Sequence, residues 1–185
     1  MARAQWLLTA RPEQITPQGN WRIWLIMAGR GWGKTLTGAQ DLAYHGLWND
    51  GARLAIIAPT HSDARDTCVE GPSGLLSVLP RECIASWNRS LSELNLKNGS
   101  KFKLFSADEP ERLRGPQFHR AWADELAAWK SPQAFDQVMM GLRLGKHPQL
   151  VITTTPKPIS IIKDLVKRVG KDLFLTRGRS EENAG

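Results

Sequence analysis

Cysteine is scarce in this 185-residue sequence: only Cys68 and Cys83 occur, and no CxxC or Cys/His cluster surrounds them. That scarcity excludes a disulfide framework and a thiolate metal site, and it fits a reducing cytoplasm. Long apolar runs are absent as well. Nothing approaches the roughly 20 residues needed to span a bilayer. Ile23 to Ala28 is strand-sized, and no signal-peptide pattern precedes it, so no membrane partner is expected. There is no internal repeat, no low-complexity tract and no linker-like stretch, and the length suits one domain with a sizeable core.

What is present is an ordinary globular composition, 41% hydrophobic and 23% charged, with a net charge of +7. A basic balance of that size fits a polyanionic partner, and it equally fits a solvated cationic surface. The cations are uneven. Lys157, Lys163, Lys167, Arg168, Lys171, Arg177 and Arg179 crowd the last thirty residues against four acids.

Residues 1–20 are polar and read as a segment with little regular structure beyond a short helix. Trp24 to Met27 and Leu54 to Ala58 are short apolar runs stopped by glycine or proline, the pattern of buried strands. Thr35 to Leu47, Asp63 to Val69, Pro132 to Leu142 and Ile159 to Val169 carry helical spacing. Leu94, Leu96 and Lys101 to Phe105 alternate around Asn98-Gly99, a hairpin signal. His119 to Ala123 and Gln149 to Thr155 complete the strands. Strands alternating with helices imply an α/β fold with a mostly parallel central sheet flanked by helices.

The string Ala28-Gly29-Arg30-Gly31-Trp32-Gly33-Lys34-Thr35 follows the first strand and opens the first long helix. It matches the Walker A pattern G-x-x-x-x-G-K-[ST], except that Ala28 replaces the first glycine. Glycines there let successive backbone N–H groups turn inward around phosphate oxygens, and the helix directs its positive end at the same anion. Gly29 to Thr35 would therefore cradle ATP, with Lys34 on the β- and γ-phosphates and the Thr35 hydroxyl on Mg²⁺. Arg30 either touches the γ-phosphate or points to solvent.

About ninety residues on, Asp124-Glu125 ends an apolar strand. Downstream of such a loop the first acid holds Mg²⁺ and the second polarises the attacking water. Acids at a helix start are the plain alternative. Thr153-Thr154-Thr155-Pro156 ends the next strand, where hydroxyls could sense the γ-phosphate or simply favour β structure. Arg112 and Arg114 lie on a polar loop, as transition-state cations or as surface ion pairs.

Taken in order, AGRGWGKT, TGA, APTHSDARD, SADEPERLRGPQF, WADELAAW and TTTPKP resemble the ATPase domain of phage terminase large subunits, the DNA-packaging motors of tailed bacteriophages. The resemblance runs from Trp21 to Gly178. It implies a RecA-like P-loop fold that uses ATP and Mg²⁺, is a monomer when isolated and self-associates into a ring when assembled on the portal, working with double-stranded DNA, the portal protein and the small terminase subunit in the host bacterial cytoplasm. It implies Lys34, Thr35 and Arg30 in the loop, Asp124 as metal acid and Glu125 as catalytic glutamate. Thr153 to Thr155 become the coupling motif, and Arg114 a finger acting in trans, with Arg112 as alternative. The base would sit near Gln14, Gln18, Trp21 and Arg22. By the same resemblance 1–20 is an N-terminal segment, 21–178 the ATPase domain and 179–185 the start of a linker to a nuclease domain absent from this sequence, and no nuclease activity is expected. A helicase-type ATPase and a non-catalytic assembly module are the rival readings.

Overall fold

A computed structural model describes residues 2–178; the expected linker at 179–185, and Arg179 with it, lies outside the described residues. In chain order, helix α1 (Ala2–Thr9) leads to strand β1 (Ile23–Ala28), the glycine loop and helix α2 (Lys34–Trp48). Strand β2 (Arg53–Ala58) is followed by the single turn α3 (His61–Asp63), which widens into a π-helical stretch over Ala64–Val69, and then by α4 (Leu75–Val78). Strands β3 (Ile84–Asn88), β4 (Glu93–Leu96) and β5 (Lys101–Ser106) precede a short turn at Pro110–Leu113. Strand β6 (Arg120–Asp124), helix α5 (Pro132–Gly141), strand β7 (Gln149–Thr154), helix α6 (Ser160–Val166) and strand β8 (Leu173–Gly178) complete the chain.

All eight strands form one sheet in the order β3-β4-β5-β2-β6-β7-β1-β8. Six are parallel; β3 and β4 form an antiparallel hairpin beside β5. β1 and β7 are buried at every residue, as expected of strands covered on both faces. Alternation sorts their side chains. Ile23, Leu25 and Met27 face α5 and α6 with Phe135, Val138, Ile162 and Leu165. On the other face Leu54, Ile56, Phe102 and Trp122 pack on Ala39, Leu42 and Ala43 of α2. A third cluster gathers Trp21, Trp24, Ile26 and Trp32.

Two close approaches fix α2 to the sheet. A Cβ on Gly38 would stand 2.3 Å from the Trp122 ring, so only glycine lets the helix lie this close. Further along, the Arg120 guanidinium donates to both Asp41 carboxylate oxygens at 2.7 and 2.8 Å, deep between helix and sheet. Such a pair costs desolvation, so it serves to fix orientation more than to add stability.

The structure adds strands that periodicity did not show. β3 and β8 are the two edges, and β8 occupies part of the cation-rich tail. The expected helix over 159–169 is shorter, ending at Val166, and the helical segment from Asp63 is π-helical from Ala64. The Asn98-Gly99 hairpin is present, with Gly99 at φ 88°. Among the described residues no helix is long and apolar enough to cross a membrane.

Candidate active site

The parallel strands all deliver their carboxyl ends to one edge of the sheet, where open α/β sheets bind ligands. There the glycine loop leaves β1, Asp124-Glu125 leaves β6, and Thr153 to Thr155 leave β7, which lies between them. Residues far apart in sequence thus share one crevice.

The loop turns through Gly31 and Gly33, both left-handed, at φ 80° and 95°. The first N–H groups of α2 have no partner within the helix; Thr37 is the first to bond back, to Gly33 O at 3.0 Å. Fifteen residues of helix then point their positive end into the loop. Lys34 Nζ donates to Gly29 O at 3.3 Å, reaching across the loop it belongs to. Thr35 is half-buried in the first turn and Arg30 is exposed.

Trp32 differs from the other loop residues. Its side chain is 1% exposed and packs into the third cluster, so only its backbone faces the loop. Arg11 stacks on the Trp32 ring, 4.9 Å from its centroid, and donates to Trp32 O. A Cβ on Gly178 would fall 2.0 Å from Trp32 Nε1, which places the end of β8 against the same indole. Gln14 braces the loop from below. Its amide donates to Thr37 Oγ1 at 3.2 Å and accepts from Arg11 N at 3.0 Å, and it lies 2.9 Å from where a Gly33 Cβ would be.

The other base-binding candidates are not brought to the loop. Trp21 and Arg22 precede β1, at the opposite end of a strand of six residues, about 20 Å from the loop. Trp21 is buried and donates to Pro17 O, and the Arg22 guanidinium donates to the carbonyls of Pro148, Met139 and Leu142. Gln18 is exposed in a cleft beside Trp21 at that same end. Of the four, the structure sets only Gln14 beside the loop.

Asp124 is 7% exposed, and both its oxygens accept hydrogen bonds, from Thr153 Oγ1 at 2.8 Å and from Cys68 Sγ at 3.6 Å. Burial pushes its pKa up to about 6, and the Glu125 charge adds to the rise. The bonds from Thr153 and Cys68 and the charge of Lys34 pull the other way. Thr153 Oγ1 in turn accepts from Trp122 Nε1 at 2.8 Å, and Trp129 Nε1 donates to Asp124 O at 3.0 Å.

Glu125 sits at φ 50°, one of two non-glycine residues at positive φ among those described. This conformation is uncommon outside glycine and asparagine and often marks a functional constraint. It turns the side chain over the end of β7. There Oε1 accepts from Thr155 N at 3.1 Å and Thr155 Oγ1 at 2.5 Å. Thr154 Oγ1 accepts from Ala127 N and donates to Thr155 O. The three threonines therefore clasp the acids: Thr153 holds Asp124, Thr155 holds Glu125, and Thr154 holds the turn between.

Sequence reasoning missed Arg11, Cys68, Trp122 and Trp129. Each acts through a side-chain contact that no local pattern reveals: Trp122 between strands, Cys68 from the π-helical stretch, Arg11 from the N-terminal segment and Trp129 back onto the end of β6. The arginines of the 107–117 loop separate cleanly. Arg112 is paired with Glu109 at 2.5 Å, whereas Arg114 is exposed with no acid at ion-pair distance among the described residues.

A glycine-loop strand and an acid-ending strand with a third strand inserted between them define the RecA-like α/β class. Within that class, the chain belongs to the terminase large subunit family, T4likevirus-type, N-terminal, whose family model matches residues 25–176. No curated protein matches the chain in sequence. Solved structures carry the same fold. A large terminase from a thermophilic bacteriophage, in complex with ADP, is 16% identical with a TM-score of 0.76, over 99% of this chain and 45% of that one. The Thermus phage P74-26 large terminase ATPase domain is 17% identical with a TM-score of 0.67, over 87% of this chain and 77% of that one. The HK97 bacteriophage large terminase is 19% identical with a TM-score of 0.68, over 85% of this chain and 35% of that one. The match thus takes in less than half the length of the ADP-bound and HK97 proteins.

Proposed function

We propose that this chain binds ATP and Mg²⁺ at Gly29 to Thr35 and hydrolyses the γ-phosphate bond. In a ring assembled on the portal in the host bacterial cytoplasm, with the small terminase subunit as a partner, that hydrolysis drives double-stranded DNA into a procapsid. The observation that carries the reading is the clasp. Two acids at the end of β6 are held by two hydroxyls at the end of β7, beside a loop built to receive phosphate.

The loop N–H groups and the α2 amino end receive the phosphates, and Lys34 exchanges Gly29 O for a phosphate oxygen. Asp124 and Thr35 offer hard oxygen donors suited to Mg²⁺, and at neutral pH Asp124 is above its pKa of about 6 and so available as a carboxylate. The ion neutralises charge on the β- and γ-phosphates when bound. Glu125, once it leaves Thr155, accepts a proton from water as the water oxygen bonds to the γ-phosphorus and the bridging oxygen departs with the ADP. Arg30 and a neighbour's Arg114 supply positive charge to the transferring group. Release of Glu125 frees Thr155, and the end of β7 carries that change outward. Gln14 is the residue best placed to serve the base.

Glu125→Gln tests this directly. The variant should keep its affinity for a fluorescent ATP analogue and lose turnover by a factor on the order of a hundred or more. Wild-type turnover in that variant would remove Glu125 from the role.

A further inference from the structure

The cations of the tail are not equivalent. Arg168 is paired with Asp172 at 2.5 Å and Lys167 lies 3.8 Å from Asp164, so both have acids at hand. Lys157, Lys163 and Arg177 are exposed, have no acid at ion-pair distance among the described residues, and line one cleft of about 400 Å³. Met27, Pro156, Pro158, Ile162 and Val166 make the rest of that cleft. A larger cavity of about 720 Å³, over β4 and β5, also holds cations, but Lys101, Lys103 and Arg112 there are each tied to Glu93 or Glu109, which leaves Arg53, bonded to Gly99 O, as its one cation without an acid partner among the described residues.

We propose that the cleft lined by Lys157, Lys163 and Arg177 is a phosphodiester-backbone site for a DNA duplex; this rests on the translocation reading above. Its lining side chains offer strong hydrogen-bond donors and no acceptor stronger than the Met27 thioether, and two are prolines, whose backbone has no N–H. A phosphodiester carries acceptors alone, so donors and charge are both complemented. The apolar floor suits the sugar faces between phosphates. A protein segment would bring its own N–H groups, for which the lining side chains have no strong acceptor.

The cleft is also placed to respond to the nucleotide. Lys157 is two residues past Thr155, which holds Glu125, with only Pro156 between. Arg177 pairs in register with Met27, two residues before the loop begins at Gly29. Displacement of either strand end therefore moves a wall of the cleft. The stiffness of the Pro156-Lys157-Pro158 stretch favours transmission over local absorption. The grip on DNA thus changes with the state of Glu125.

The test is anisotropy of a short labelled duplex with the 185-residue chain over a series of salt concentrations. Substituting Lys157→Gln, Lys163→Gln and Arg177→Gln together should weaken binding at low salt by about tenfold or more. It should also flatten the salt slope by about 0.9 for each phosphate left unneutralised. An equal removal of charge elsewhere, Lys97→Gln, Lys146→Gln and Lys171→Gln, should leave both nearly unchanged; circular dichroism checks that both variants fold. Equal weakening in the two triple variants would overturn the site in favour of bulk charge, as would a wild-type chain that binds no duplex. Preference of the cleft for polyglutamate over the duplex would overturn it in favour of a protein partner. ATP turnover of the same preparations separates the two readings. Turnover without cleft-dependent binding removes this surface alone, and cleft-dependent binding without turnover, in preparations shown by light scattering to have assembled into rings, removes the hydrolysis reading alone.

Discussion

Asp124 shows what it costs to bury a carboxyl. Its folded pKa of about 6 lies above the ordinary 3.8, so between those values the native state holds a proton that the unfolded chain has released. Stability then falls as pH rises through that window and stays lower above it. Asp124→Asn removes the effect. The variant should be more stable than wild type at pH 8, by up to about 3 kcal/mol from a shift of about two units, and should differ little near pH 4. Thermal melts at the two values, in chelator, check the sign; a variant less stable at both would show that the hydrogen bonds outweigh the charge. Thr153 makes a complementary case. Thr153→Val keeps the shape but deprives the buried Trp122 N–H of its acceptor, which should cost roughly 1–3 kcal/mol in denaturant unfolding. Thr153→Ser should recover most of it.

The elements meet at glycines where aromatic rings press in, and these contacts tie the sheet to the loop. Gly178 leaves room for the Trp32 indole, on which Arg11 stacks from the N-terminal segment. Gly178→Ala must push that ring, a strain of about 1–3 kcal/mol. Because Trp32 is part of the loop, affinity for a fluorescent ATP analogue should fall together with the melting temperature. Gly178→Ala with Trp32→Leu should recover stability, a coupling that a double-mutant cycle measures. The same contact shows what could and could not be read in the sequence. β1, β2, β6 and β7 were legible because strands buried on both faces are written as apolar runs ending at Gly, Pro or acid. β8 was not, since an edge strand such as LFLTRG mixes buried and exposed positions and sits among lysines. The loop and the Asp-Glu pair were legible as local motifs with a required order. Cys68 on Asp124, Trp122 on Thr153 and Gly178 on Trp32 were not, because each depends on register between strands or on a π-helical turn. Arg22, legible only as near the first strand, proves to be at its far end.

At the scale of the whole molecule, the order of strands decides which arginine can serve which site. Arg114 follows β5, and β5 and β1 are separated by β2, β6 and β7. Arg114 itself lies with Gln137, Met140, Gly141 and Arg143 at the carboxyl end of α5, on the side where β7 begins. The six residues of β7 span about 20 Å before the sheet edge that bears the glycine loop, well beyond an arginine side chain, so Arg114 does not reach the loop of its own chain. It is exposed and has no acid at ion-pair distance among the described residues, unlike Arg112, and is therefore free to meet a neighbouring copy. A site completed by a neighbour makes a specific prediction for mixed assemblies. Arg114→Ala subunits keep Glu125 but lack the cation, while Glu125→Gln subunits keep the cation but cannot hydrolyse. Each alone should be nearly inactive in a ring. Mixed in equal parts, about half the junctions at random would join unlike subunits, of which only one orientation sets an intact Glu125 against an intact Arg114, so about a quarter of the sites should turn over if sites act independently. Arg112→Ala in place of Arg114→Ala should lose little on its own. Recovery only when the two variants are mixed would place Arg114 in trans. Inactive mixtures in rings shown by light scattering to contain both variants would place the missing cation elsewhere, with Arg30, already in the loop, the residue to test next.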